Sequence, residues 1–145
     1  MRVIKMLLVG LALFGLVASA TAQDTKAYKE GPVIALSYIK IKPGKFDDYM
    51  KFLGGNYRKL MEANIKAGLV VRYAVYSTQA RTPHDPDLIL SITYANYAAL
   101  DKVDEGEAIA AKLIGPSAVQ DKGAIDRGVM REVLGGQLIQ ELILK

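Results

Sequence analysis

Apolar positions recur along this chain with two different periods. From Val33 to Lys42 (VIALSYIKIK) two sets interleave, Val33, Ala35, Ser37, Ile39, Ile41 and Ile34, Leu36, Tyr38, Lys40, Lys42, which is the period of a β-strand. Pro43-Gly44 ends that strand, since proline cannot donate to a ladder and glycine accepts a positive φ. The period then lengthens. Phe46, Met50, Leu53, Tyr57, Leu60, Asn64 and Ile65 form a stripe at three- and four-residue spacing and predict an amphipathic helix. Asp47 and Asp48 fall in its first turn, where the helix dipole favours negative charge. Gly54-Gly55 costs about 1 kcal/mol per glycine relative to alanine in a helix interior, so a kink or break is expected there. Gly68 is the expected C-terminal cap.

Leu69 to Ser77 (LVVRYAVYS) reads as a second strand, and Leu88 to Tyr94 (LILSITY) as a third, with the polar loop TQARTPHDPD between them. Asn96 is placed to cap a helix over Tyr97 to Val103, followed by a mixed helical region from Asp104 to Gly115-Pro116. Ser117 is the expected cap of a last helix, with Ala118, Lys122, Ile125, Val129 and Val133 on one face. Gly135-Gly136 should close that helix, leaving Leu138 to Lys145 (LIQELILK) as a final strand. The order β-α-β-β-α-β predicts an α+β chain of the ferredoxin-like, split βαβ kind, with one four-stranded antiparallel sheet and helices on one face.

Such a sheet, wet on its other face, should alternate cleanly between apolar and polar. These strands do not. Ile34, Leu36 and Tyr38 oppose Ala35, Ile39 and Ile41, and Val71, Tyr73 and Val75 oppose Val70, Ala74 and Tyr76. Helices cover only one of those faces, and the second is expected to pack against another copy of the sheet in a homodimer.

The N-terminus narrows the setting. Arg2 and Lys5 precede a 13-residue apolar run, Met6 to Ala18, followed by the A-x-A triplets Ala18-Ser19-Ala20 and Ala20-Thr21-Ala22. That is the layout of a cleaved signal peptide over residues 1–22, and the run is shorter than the roughly 20 residues a spanning helix needs. The product would be periplasmic or secreted, with no membrane attachment after cleavage. Gln23 to Gly31 is then a polar, flexible arm, and residues 32–145 form one domain. Removing Arg2 and Lys5 leaves 17 basic against 15 acidic residues, too even a balance for nucleic acid. An exported chain without cysteine draws its stability from packing or oligomerisation rather than disulfides.

Candidate chemistry is sparse. His84, the only histidine, sits in Thr82-Pro83-His84-Asp85-Pro86-Asp87, where Asp85 or Asp87 could orient it as a general base, although proline and aspartate equally make a solvated turn. Tyr38 and Lys40 share the strand face expected to look away from the helices, because Ile41 should pack on Phe46. They would line a cavity against a partner sheet or simply fill the interface, with Lys40 snorkelling. Tyr57 and Arg58 follow the Gly-Gly step and could wall a pocket that holds an anionic group, Tyr57 being the second catalytic candidate. Tyr73 and Tyr76 on the second strand, Tyr94 on the third and Asn96 beyond it complete the set of ligand-facing candidates. One histidine with two nearby carboxylates makes no metal site unaided. Phosphate-cradling loops, nucleophile elbows and paired His or Cys are absent from the sequence.

The segment YIKIKPGKFDDYMKFL resembles the opening strand, K-P-G turn and first helix of the dimeric α/β-barrel superfamily, which includes antibiotic-biosynthesis-monooxygenase-like and NIPSNAP-like domains. LILSITYANYAAL is similar to its third strand and following helix cap, and the resemblance spans roughly Val33 to Lys145. It implies sheet-to-sheet dimers that house cofactor-free oxygenases, haem-degrading enzymes, isomerases or proteins without known activity. Haem-degrading relatives use a helical His and a distal Trp, whereas this chain has no Trp and its His lies in a predicted loop. The expectation is an exported homodimer that binds or modifies a small, mostly apolar organic molecule without a metal or cofactor. The alternatives are a cofactor-independent oxygenase or isomerase, and a non-enzymatic structural or interaction protein whose dimer core is filled by its own tyrosines.

Overall fold

A computed structural model describes residues 26–145, so the signal peptide expected over residues 1–22 and the first residues of the arm lie outside it. The elements are β1 (Tyr28–Ile41), α1 (Phe46–Phe52), a π turn (Leu53–Tyr57), α2 (Arg58–Lys66), β2 (Arg72–Ser77), β3 (Leu88–Tyr94), a 3-10 turn (Tyr97–Asp101), α3 (Val103–Leu113), α4 (Ser117–Gly128) and β4 (Arg131–Leu144). They form an α+β fold with a four-stranded sheet in the order β2-β3-β1-β4, every neighbouring pair antiparallel. That order and those directions fit the ferredoxin-like arrangement expected from the sequence. Among the described residues no helix is long and apolar enough to cross a membrane.

The turn after β1 forms as its sequence demands. Pro43 and Gly44 take the two central positions, Gly44 at φ 73°, and the Lys45 N–H donates to the Lys42 carbonyl at 3.0 Å. The chain then enters α1, which drives Tyr49 (1% exposed) and Leu53 onto Ile39 and Leu88 of the sheet. Burying such side chains stabilises the fold by roughly 1.5–3 kcal/mol each, and this cluster is the main core.

The buried stripe of this helix differs from the expected one. Tyr49, Leu53, Met61 and Asn64 are buried, whereas Phe46 is 49% exposed and Met50 and Ile65 are also open. The cause is local. At the Gly54-Gly55 step, the site of the expected kink or break, the α-helical pattern gives way to a π turn, in which the Arg58 N–H reaches back five residues to the Leu53 carbonyl. Beyond this π turn the buried positions of the helix are Met61 and Asn64, with Leu60 half-buried and Ile65 open. Gly68 caps α2 as expected, at φ 74° with its N–H on the Ile65 carbonyl at 2.9 Å.

Four further boundaries shift. Residues 28–31 are not a loose arm: Tyr28, Lys29 and Glu30 pair with Leu144, Ile143 and Leu142. β2 opens at Arg72 rather than Leu69, because Leu69 and Val70 are held by the Asn64 carbonyl, at 3.0 and 3.3 Å, in the turn that ends α2. Pro116, not Ser117, occupies the cap position of α4, and no side-chain capping bond forms. Gly135-Gly136 lies inside β4 instead of closing a helix. The sheet needs glycine here, since Gly135 has φ 154° at a bulge opposite Tyr38 and Ile39, and a Cβ on Gly136 would come within 2.9 Å of the Leu36 carbonyl oxygen.

Register fixes the two faces of the sheet. Ala35, Ile92 and Tyr73 form one cross-strand row toward the helices, and Ser37, Leu90 and Val75 form the next. On the far face Tyr38, Ile89 and Tyr76 align, as do Ile139, Ile34 and Thr93.

Candidate functional site

The site is the space the helices leave over the sheet. A cavity of about 720 Å³ lies between the first helical unit and α4. Leu90 forms part of its floor. Tyr49 and Phe52 of α1, Tyr57 of the π turn and Leu60 of α2 form one wall, and Val119, Gly123 and Arg127 of α4 the other. Arg131, the first residue of β4, also contributes to the lining. The volume lies within the range of small-molecule sites, which are commonly apolar with few polar groups.

Rings and cations are layered along this cavity. Tyr49 and Phe52 stack with centroids 5.9 Å apart. The Arg127 guanidinium lies 5.3 Å from the Phe52 ring centre and that of Arg131 5.5 Å from the Tyr49 ring centre. Such contacts are worth about 0.5–2 kcal/mol, more where water is excluded. Burial lifts the Tyr49 phenol above its usual range while the Arg131 and Arg127 charges oppose the rise. Burial also holds Arg127 below the usual arginine value, with the Arg131 charge adding to the effect.

Tyr57 packs edge-on against Tyr73, their centroids 5.8 Å apart. Its hydroxyl is buried with no hydrogen-bond partner, as is Nε of Arg131. Burial first, and then the neighbouring Tyr49, Tyr73 and Tyr94, push the Tyr57 phenol up to about 12. It therefore keeps its proton at neutral pH and is a donor, not a base.

The residues singled out from sequence divide between the two sides of the sheet. Tyr57 lines the cavity, and Tyr73 supports it from the same face. Tyr38, Lys40 and Tyr76 lie on the far face, so Tyr57 shares no pocket with Tyr38 and Tyr76. There the Tyr38 hydroxyl bonds to Gln137 Oε1 at 3.0 Å, and Lys40 Nζ reaches Asp87 Oδ1 at 3.0 Å and the Asp85 carbonyl at 2.9 Å. Arg58 lies outside the cavity lining and pairs with Glu62 at 3.4 Å, a surface i, i+4 pair rather than an anion clamp. Asn96 caps the 3-10 turn, its Oδ1 accepting from the Ala99 N–H at 3.1 Å.

His84 sits exposed in the loop between β2 and β3, and neither neighbouring carboxylate orients it. Asp85 Oδ2 accepts the Thr82 and Arg81 N–H groups, both at 2.8 Å, and these bonds hold its carboxyl below the usual range. Asp87 accepts the Ile41 N–H at 2.7 Å; partial desolvation opposes ionisation, but that bond and Lys40 hold its carboxyl low. Both carboxylates are engaged in closing the loop. No group of three or more His, Cys, Asp or Glu among the described residues is arranged to hold a metal ion.

A second cavity of about 310 Å³ lies between α2 and α3 over Ile92 and Tyr94. Asn64 enters it, with Nδ2 donating to the Leu60 carbonyl at 2.8 Å, which makes it a fixed part of the helix end. Sequence reasoning missed Arg127 and Arg131. The available signal was their four-residue spacing in DRGVMRE, obscured by extending the last helix through Val133.

No family model and no curated protein sequence matches the chain. Among solved structures, protein SO0527 from Shewanella oneidensis superposes with a TM-score of 0.50 at 14% identity, over 80% of this chain and 98% of that one. HapK from Hahella chejuensis gives 0.46 at 17% identity, over 75% and 91%. At 14% identity the likeness to SO0527 bears on fold alone.

Proposed function

We propose that this chain is an exported homodimer of the dimeric α/β-barrel kind that binds a small, mostly apolar organic molecule between its sheet and helices, without a metal. The observation that carries the reading is the cavity of about 720 Å³ walled by Tyr49, Phe52, Tyr57 and Leu60 over Leu90. The homodimer rests on the opposite side of the sheet. Ile34, Leu36 and Ile89 lie there with Tyr76, which is 46% exposed, and helices cover only the other face. β4 adds to the case: it is a 14-residue edge strand with Leu138, Ile139, Leu142 and Ile143 open, the kind of edge that soluble proteins normally cover. Tyr57, which keeps its proton, would serve the cavity as a hydrogen-bond donor, and His84 lies outside the lining.

Titration with phenylnaphthylamine, a neutral fluorophore that brightens in apolar surroundings, tests the binding reading. Saturable uptake is expected, and Val119→Trp, which fills the α4 wall, should abolish it while leaving circular dichroism unchanged. Absence of saturable uptake by the unsubstituted protein would overturn the reading.

A further inference from the structure

We infer that the ligand is an apolar monocarboxylate, its carboxylate held by Arg127 and Arg131; this rests on the cavity being the binding site. Both guanidiniums line it, together with Lys122, against a single acidic side chain, Asp126. Among the described residues neither arginine forms an ion pair, and Arg131 Nε is sealed from water with no acceptor. Buried cationic donors are normally paired, so one left without a partner signals a group that the chain does not itself supply.

The aromatic contacts do not answer that need. Phe52 and Tyr49 meet the guanidiniums through their π faces, whereas the N–H donors of a guanidinium lie in its own plane. These contacts hold each guanidinium at the cavity wall, and Arg131 Nε still lacks an acceptor. The two cations are also close enough for the Arg131 charge to help lower the affinity of Arg127 for its proton. An anion placed between them would relieve this repulsion and satisfy both sets of donors.

The rest of the cavity selects among anions. A carboxylate matches the planar fork of arginine in two parallel hydrogen bonds. Besides the cations and Asp126, the polar side chains of the lining are Asn56, Gln120, Tyr49 and Tyr57. Leu60, Leu90, Val119 and Met130 give an apolar surface that a polyphosphate, having no apolar body, would leave unmatched. Those side chains, with the rings, suit an aromatic or aliphatic body. Charge at the arginine end and an apolar body over the sheet describe an aromatic or medium-length aliphatic acid.

Displacement of phenylnaphthylamine by naphthoate and by its uncharged isostere naphthamide tests this. Naphthoate should compete at least about tenfold better, equivalent to about 1.4 kcal/mol. The advantage should vanish in Arg131→Met and persist in part in Arg131→Lys, which keeps the charge but not the fork. Naphthamide should compete equally in all three proteins. Arg127→Met repeats the test if Arg131→Met fails to fold, judged by circular dichroism. Equal competition by the two probes, or an advantage unchanged in the methionine variants, overturns the carboxylate assignment and leaves the cavity reading standing. Competition by neither probe, together with no uptake of the fluorophore, overturns both.

Discussion

The two faces of this sheet are incomplete in opposite ways. On the helix side the apolar groups are well matched, with Ile39, Tyr49, Leu53 and Leu88 packed together, while polar atoms such as Tyr57 Oη and Arg131 Nε lack partners. On the far side polar groups are matched, Lys40 to Asp87 and Tyr38 to Gln137, while Ile34 and Ile89 are only half-buried and Tyr76 and Ile139 stand exposed. A face short of polar partners calls for a small ligand with polar atoms. A face short of apolar cover calls for another apolar surface. On the proposed reading one sheet separates two kinds of recognition, and side-chain parity assigns a strand residue to one face or the other.

The largest expected effect tests the far face. Ile89→Asp places a charge in the row that holds Tyr38 and Tyr76, and self-association should weaken by at least about 100-fold, roughly 2.7 kcal/mol. Sedimentation velocity should show dimers for the unsubstituted protein at micromolar concentration and monomers for the variant. Monomers in both would remove the homodimer.

A matched pair of tyrosine substitutions sharpens the contrast. Tyr57→Phe deletes a buried hydroxyl that has no partner and should raise stability by about 1 kcal/mol in urea unfolding. Tyr38→Phe deletes a bonded one and should lower stability by about 0.5 kcal/mol. Equal signs would mean that the two faces do not differ in this way. The Tyr57 phenol also gives an alkaline signature. Its folded pKa of about 12 lies above the ordinary value of 10.0, so its contribution is fully present below pH 10 and is lost as pH rises toward 12. Stability against pH in that window should be flatter for Tyr57→Phe than for the unsubstituted protein.

The smallest effect lies at the rim of the far face. The Asp87 carboxyl is held below its ordinary value of 3.8, so it contributes stability above that pH and loses it as pH falls through the folded value. Asp87→Asn should flatten the acid limb by less than about 1 kcal/mol, the scale of partly exposed ion pairs. An unchanged acid limb would show that the Lys40–Asp87 contact contributes nothing to folding.

Local chemistry was legible in the chain itself. Period-two and period-three-to-four patterns gave the β-α-β-β-α-β order, Pro43-Gly44 its turn and Gly68 its cap, because each depends on neighbours a few residues away. The double-sided apolar pattern of β1 likewise marked a face that helices do not cover. Tertiary structure decided the rest. Whether Gly54-Gly55 would break the helix or become a π turn depended on the sheet that holds Tyr49 and Leu53 in place. Gly135-Gly136 looks like a helix stop in isolation and becomes a bulge only when β1 lies alongside it. The cavity could not be read from spacing at all. Tyr57 and Arg131 are separated by most of the domain in sequence and line one cavity only after β4 pairs with β1, since a site built from distant segments is specified by packing and not by any local preference of the chain.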